Sequence, residues 1–226
     1  MQDDGSYLFP RLSRRDFLGG AAGLAAGALL PVSVRAQSSD SIHELRGDVR
    51  VNGKRIDERA VIRPGDVVLT TASGYVVFAI GKDAFMLRER SELRLEPAPE
   101  QPLLVQGLRL LTGALGAVFG KRARTGALIH APTVTAGIRG TGCYLETRGD
   151  GTYFCTCYGT IELASKANPR DRETSTTKRH DNPRLVLAQP RDGQLFLPAA
   201  FETHTDEEMD MLEKCVGRRA PWIQTR

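Results

Sequence analysis

Four cysteines occur in the 226 residues, and three of them crowd one stretch: Cys143, Cys155 and Cys157. A thiolate is both a nucleophile and a soft metal ligand. Residues two apart on a strand share a face, so Cys155 and Cys157 point one way and Thr156 the other. On a straight strand that spacing is ~6–7 Å. Chelation of one ion then needs a bulge or a bend, and a direct disulfide between the two would strain the strand. Downstream, His180-Asp181 sits in a polar segment long enough to fold back. Cys143, Cys155, Cys157 and His180 together form a Cys3His set suited to zinc, copper(I) or an iron–sulfur cluster. Asp181 would orient the imidazole.

Two other readings stand beside the metal site. A disulfide from Cys143 to Cys155 or Cys157 fits a hairpin in an oxidising compartment, and it stands ahead of the metal. Cys215, near the end of the chain, would then take the odd thiol. Cysteine also packs as a small buried hydrophobe. Whether Cys143 reaches the other two depends on the hairpin loop centred on Gly149-Asp150. A two- or four-residue loop sets Cys143 opposite Thr156; a three- or five-residue loop puts all three on one face.

The remaining candidates are weaker. His43 and His130 stand near strand starts with no partner pattern. His204 precedes a helix cap and is expected to pack or be solvated locally; spacing gives no support for it as a ligand beside His180. Lys121-Arg122-Ala123-Arg124 has no interleaved aromatics and is expected to be a solvated loop, with attraction to anionic polymer or lipid as the sharper reading. Gly137 to Gly142 is glycine-rich, but a phosphate cradle needs a helix after it, and strands surround this one. With no Ser-His-Asp order and no carboxylate pair, no enzyme activity is expected.

The compartment follows from the first 36 residues. Ser13-Arg14-Arg15-Asp16-Phe17-Leu18 matches the twin-arginine pattern. The apolar stretch from Gly19 to Val34 spans about 16 residues, short of the ~20 of a spanning helix. Val34-Arg35-Ala36 offers small residues at a signal peptidase site. Residues 1–36 are therefore expected to be a cleaved export signal, which leaves a periplasmic protein with no stable membrane span. Its partner during export is the twin-arginine translocase. That pathway carries folded proteins, so a cofactor inserted in the cytoplasm is a hypothesis. The formal charge of +4 is small and scattered, which excludes a nucleic-acid partner. With 41% hydrophobic and 26% charged residues the chain is globular.

The elements that must position these residues are short strands. Val49 to Val51, Val67 to Leu69, Tyr75 to Ile80, Ala84 to Leu87 and the alternating Leu93 and Leu95 are separated by turns such as Asn52-Gly53 and Gly81-Lys82-Asp83. Leu103 to Phe119 and Ala127 to Thr135 continue the series. Tyr144 to Thr147 and Tyr153 to Cys157 form a hairpin, and Thr160 to Leu163 follows. Residues 166–182 are expected to be a polar surface loop, and Arg184 to Leu187 with Gln194 to Leu197 a further hairpin. Thr205-Asp206-Glu207-Glu208 is a capping box, with Met209, Leu212, Cys215 and Val216 on one helical face. The expected fold is all-β, an antiparallel sandwich or roll of short strands with one short C-terminal amphipathic helix.

Several of these segments resemble the FecR domain. Leu45 to Gly53 is similar to its opening strand and turn, and Ile62-Arg63-Pro64-Gly65-Asp66-Val67-Val68-Leu69-Thr70 to its L-x-x-G-D-x-V-x-T step. Gly107 to Gly113 resembles L-x-x-G-x-L, Ile138-Arg139-Gly140-Thr141-Gly142-Cys143 resembles V-R-G-T-x-F, and Tyr158 to Leu163 resembles the E-G-x-V-x-V ending. The resemblance covers residues 41–165 and leaves 166–226 as loop, hairpin and helix. It implies an extracytoplasmic β domain without catalytic residues. It places the three cysteines at inward apolar positions and favours the odd-numbered hairpin loop. Only 13 residues precede Arg14, so the sigma-factor signalling of the transmembrane regulators is not carried over. The expected function is a non-enzymatic binding or regulatory module of the envelope, contacting another envelope protein or a cell-surface ligand. The alternative is a metal or redox protein with a Cys3His-type site, exported folded.

Overall fold

The computed structural model describes residues 41–99, 101–121 and 126–223, all within the unit Gln37–Arg226. The twin-arginine motif, the apolar stretch and the cleavage site lie outside the described residues, as do residues 122–124 of the basic run.

Among the described residues, sixteen strands precede one helix. They are β1 (Ser41–Arg46), β2 (Val49–Val51), β3 (Lys54–Arg55), β4 (Val67–Thr70), β5 (Tyr75–Ile80), β6 (Asp83–Leu87), β7 (Glu92–Ala98) and β8 (Gln101–Thr112). Then follow β9 (Ala114–Val118), β10 (Ala127–His130), β11 (Val134–Ile138), β12 (Gly142–Arg148), β13 (Gly151–Ser165), β14 (Arg172–Thr177), β15 (Arg184–Arg191), β16 (Gln194–Pro198) and the helix α1 (Asp206–Cys215).

The strands make one open, mixed sheet with two halves. The first half runs β1-β5-β6-β9-β12-β13, with β15 and β16 beyond it. The second runs β13-β11-β10-β8-β7-β4-β2-β3, with β14 also paired to β13. The 15-residue β13 serves both halves: Gly151 to Tyr158 pair with β12, and Gly159 to Ala164 with β14. Val76, Phe85 and Leu115 of the first half share one buried cluster with Val68, Leu93 and Leu108 of the second. The all-β reading and the single C-terminal helix hold. One pair departs from the antiparallel expectation: β10 runs parallel to β8, through Leu128 beside Gly107 and His130 beside Arg109. The reason is β9, which leaves β8 to join β6 and β12 in the other half, so the chain returns to β8 in its original direction.

Strands β5, β6 and β9 are buried at every residue. Their inner faces meet the first cluster. Their outer faces carry Val77, Met86 and Val118, which join Met209 and Leu212 of α1 in a second cluster. Burial on both faces is why Tyr75 to Ile80 is a continuous apolar run without alternation. The capping box forms as expected: Thr205 Oγ1 accepts the Glu208 amide at 3.2 Å, and Glu208 Oε2 accepts the Thr205 amide at 2.9 Å.

Two segment boundaries differ from the sequence expectation. Residues 166–182 are not loop throughout, because Arg172–Thr177 forms β14 against β13. Its alternation is of threonine, serine and charge, with Ser175 and Thr177 buried, so hydrophobic periodicity gave no signal. Ala127 to Thr135 is two strands, β10 and β11, paired across a turn that contains Pro132.

Candidate metal centre

The site begins with the register of the β12–β13 hairpin. Arg148 pairs with Gly151, which leaves a two-residue loop, and Cys143 falls opposite Thr156. This is the even-numbered arrangement, contrary to the one that the FecR resemblance favours. Cys143 therefore packs inward with Leu145 and Phe154, whereas Cys155 and Cys157 face outward beneath α1 and the C-terminal segment. The structure does not bring Cys143 to the other two. All four cysteines are free thiols, and a Cys143 bridge to either neighbour would have to cross the sheet. Cys215 is half-buried at the edge of the second cluster.

A bulge supplies the bend that the Cys-x-Cys spacing requires. Cys143 pairs with Thr156 but Gly142 with Tyr158, so Cys157 is the extra residue on β13. The bulge also changes the parity of the strand. Tyr153, Cys155, Cys157 and Tyr158 face the outer cluster, and beyond it Ile161 and Leu163 face the inner one.

Two histidines come down onto the sulfurs from separate loops. His180 follows β14 with φ of 51°, and its amide donates to the Cys157 carbonyl at 2.9 Å. Asp181 does not touch the imidazole; its carboxylate accepts the amides of Lys178 and Arg179 at 2.9 and 3.3 Å and shapes the turn. Asp206, at the start of α1, takes the role expected of Asp181: its Oδ1 lies 3.1 Å from His180 Nε2. His204 lies between β16 and α1, after Thr203 at φ of 67°. Its Nδ1 meets the Glu202 carbonyl oxygen at 3.0 Å. Positive φ at His180 itself and at Thr203 beside His204 is the kind of backbone strain that collects at functional sites.

The ligand-type atoms converge. Cys155 Sγ lies 3.4 Å from His180 Nδ1, Cys157 Sγ 3.4 Å from His204 Nε2, and the two ring nitrogens are 3.1 Å apart. All four atoms fall within 4.8 Å of one another. A tetrahedral ion with bonds of ~2.3 Å to sulfur and ~2.0 Å to nitrogen sets edges of about 3.5 Å between S and N and about 3.3 Å between nitrogens. The observed separations match. Both outer ring nitrogens have an acceptor, which fixes the tautomers and turns the lone pairs of His180 Nδ1 and His204 Nε2 toward the common point. The residues thus fit one ion as a Cys2His2 set of Cys155, Cys157, His180 and His204.

The surroundings are dry and aromatic. Both sulfurs are fully buried, and His180 and His204 are 6% and 5% exposed. Tyr144 stacks on His204 at 4.4 Å, and Phe201 on His180 at 4.2 Å. A hydrogen bond from Cys157 is the largest influence on the Cys155 thiol and draws its pKa down to about 4, against burial and with help from His180 and His204. Burial pushes Cys157 well up, and the Cys155 sulfur adds to that. Metal binding would hold both sulfurs as thiolates and displace any thiol proton.

His204 is the ligand-type residue that sequence reasoning left out. Its one signal was position, as one of only four histidines and immediately before the helix cap.

Comparison with known proteins adds the compartment. Residues 11–31 match the twin-arginine translocation pathway signal sequence. The chain carries an export signal. It directs passage across the cytoplasmic membrane, and among the described residues no helix is long and apolar enough to cross one. No curated protein matches the chain. Two solved structures resemble it, at 1.65 and 2.50 Å resolution, both of a candidate anti-sigma factor from Parabacteroides distasonis ATCC 8503. Identities are 8% and 7%, each with a TM-score of 0.47 over 59% of this chain. The match spans 58% of those chains, so the chain covers little more than half of their length.

Proposed function

We propose that the chain is a periplasmic metalloprotein in which Cys155, Cys157, His180 and His204 hold one zinc-class ion, and that the ion fastens the C-terminal cover to the sheet. One observation carries this reading. Two sulfurs and two imidazole lone pairs point at one place, with S···N distances of 3.4 Å and an N···N distance of 3.1 Å. Without an ion, two nitrogen lone pairs would face each other in a buried site, with thiol protons alone between the four atoms. Tetrahedral S2N2 donors suit zinc. Atoms all within 4.8 Å leave room for a single ion and not for a two-iron cluster, whose ligand pairs stand on separate irons.

Four protein ligands complete the shell, so no position remains for a substrate. The sulfurs are fully buried, which also argues against nucleophilic catalysis. The domain then acts as a non-enzymatic binding or regulatory module, with an envelope protein or cell-surface ligand as partner. The FecR-like motifs support this part of the reading. Folded export would let the ion enter in the cytoplasm. The test is metal analysis of natively exported, purified protein. One equivalent of zinc, lost in Cys157→Ser, is the expected result. Metal-free protein with intact thiols would overturn it.

A further inference from the structure

The far end of the same outer face holds a recess that the metal centre does not use. Its volume is about 480 Å³, and it lies where the C-terminal end of α1 meets three turns of the sheet. Phe119, Val216, Pro221 and the ring of Tyr158 give it an apolar lining, and Lys82, Lys121, Arg218 and Arg219 bring four cationic side chains to it. Glu213 is the one acidic residue among those that line it.

The charges are not equivalent. Arg218 pairs with Glu213, and its Nη1 donates to the Lys82 carbonyl at 2.7 Å; Glu213 also accepts the Tyr158 hydroxyl. Arg219 reaches Asp210 at 3.0 Å. Both arginines follow the helix, where cations offset the negative end of its dipole. The two lysines need another account, because they come from the sheet side. Lys82 occupies the β5–β6 turn and Lys121 the stretch after β9. Glycines let these segments close up. A Cβ on Gly120 would stand 2.7 Å from the Lys82 Cβ, and one on Gly140 3.4 Å from Lys121. Two lysines from the sheet side and an apolar floor thus line one recess.

We infer that this recess binds an amphiphilic anion, with a phosphate or carboxylate head between Lys82 and Lys121 and an apolar tail along Phe119, Val216 and Pro221. The apolar floor is what distinguishes this ligand from a bare anion, since it would lie idle beneath inorganic phosphate. The inference stands independently of the metal.

Trp222, the sole tryptophan, packs edge-on against Tyr158 at 5.7 Å and provides a fluorescence signal. Octyl phosphate is titrated below its micelle concentration, beside octanol and inorganic phosphate. Saturable binding of octyl phosphate is expected, weakened about tenfold or more in a Lys82→Glu/Lys121→Glu variant that keeps the parent's melting temperature. A Lys54→Glu/Arg55→Glu variant, altered in the exposed β3, makes the same change in net charge and is expected to bind as the parent does. Equal binding of octanol would remove the anionic head from the proposal, and equal binding of phosphate would remove the tail. No saturable binding, or binding unchanged in the double variant, would overturn it entirely.

Discussion

His180 Nδ1 and His204 Nε2 lie 3.1 Å apart, although 24 residues separate them and each ring arrives on its own loop. Asp206 holds the far nitrogen of one ring and the Glu202 carbonyl that of the other. The near nitrogens are therefore both acceptors, and the Cys155 and Cys157 sulfurs complete the set. This makes the four residues unequal to Cys143 in a way that experiment can read. Cys157→Ser and His204→Ala are expected to lose bound metal. Cys143→Ala is expected to keep one equivalent and to lose only about 1 kcal/mol of stability from its small core cavity. Metal content by mass spectrometry separates the two outcomes; loss of metal in Cys143→Ala would restore the Cys3His set.

The two aspartates beside His180 divide in the same manner. Asp206 Oδ1 lies 3.1 Å from the imidazole, whereas Asp181 caps the amides of Lys178 and Arg179. Asp206→Ala is expected to weaken metal affinity by roughly 10–100-fold, as loss of such an orienting carboxylate does. Asp181→Ala is expected to act on local stability and to leave affinity within about threefold, a difference under ~0.7 kcal/mol. Competition with a chromophoric chelator measures both. The reverse ranking would mean that the turn, and not the carboxylate, orients His180.

These residues also mark how far the sequence could be followed. Period-two alternation put Cys155 and Cys157 on one face, and the capping box located α1 with its apolar side down. Neither depends on distant partners. The face that the cysteines occupy does depend on them, because one residue of loop length or one bulge reverses it. The two-residue loop at Gly149-Asp150 turned Cys143 inward, and the bulge at Cys157 gathered the sulfurs. His204 was illegible for another reason. It is 47 residues from Cys157, and only the packing of α1 onto an outer sheet face brings the two together. Apolar residues on both faces of β5, β6 and β9 were the available hint that this face is covered.

Chelation provides a test of what the ion holds. The inner cluster joins the two halves of the sheet without any ligand residue, whereas the outer cluster contains Cys155, Cys157, Met209 and Leu212. Removal of the metal is expected to lower the melting temperature and to raise amide exchange in residues 199–223, while β7 and β8 stay protected. Hydrogen exchange with and without chelator reads this directly. Uniform deprotection of the whole chain would show that the ion supports the entire domain instead.

Two buried carboxylates on α1 are expected to answer pH in opposite senses. For Asp210, burial raises the pKa, but Lys214, the Ala220 amide and Arg219 outweigh it and hold the group below its ordinary 3.8. Its contribution to stability is present above 3.8 and is lost as pH falls through the lower folded value. For Glu213, burial wins over Arg218 and raises the pKa above 4.5. Its contribution is full below 4.5 and is lost as pH rises through the higher folded value. Asp210→Asn should therefore cost most at neutral pH, with a gap to the parent that closes in acid. The gap for Glu213→Gln should move in the variant's favour as pH rises. Urea melts of parent and variants across the acid range measure both slopes; parallel slopes would remove the assigned environments.

Export and metal loading make the last prediction. Residues 11–31 match a twin-arginine signal, and that pathway passes folded chains. Arg14→Lys/Arg15→Lys is expected to leave the precursor in the cytoplasm with its signal uncleaved. The site requires β13, the loop at His180 and the start of α1 to be in place together, so it exists only in the folded chain. If the ion enters before export, the trapped precursor already contains it. Precursor purified from the cytoplasm with one equivalent of metal would establish that order. Metal-free precursor that binds zinc only after release into the periplasm would place loading after export, and would remove metal insertion as the reason for folding first.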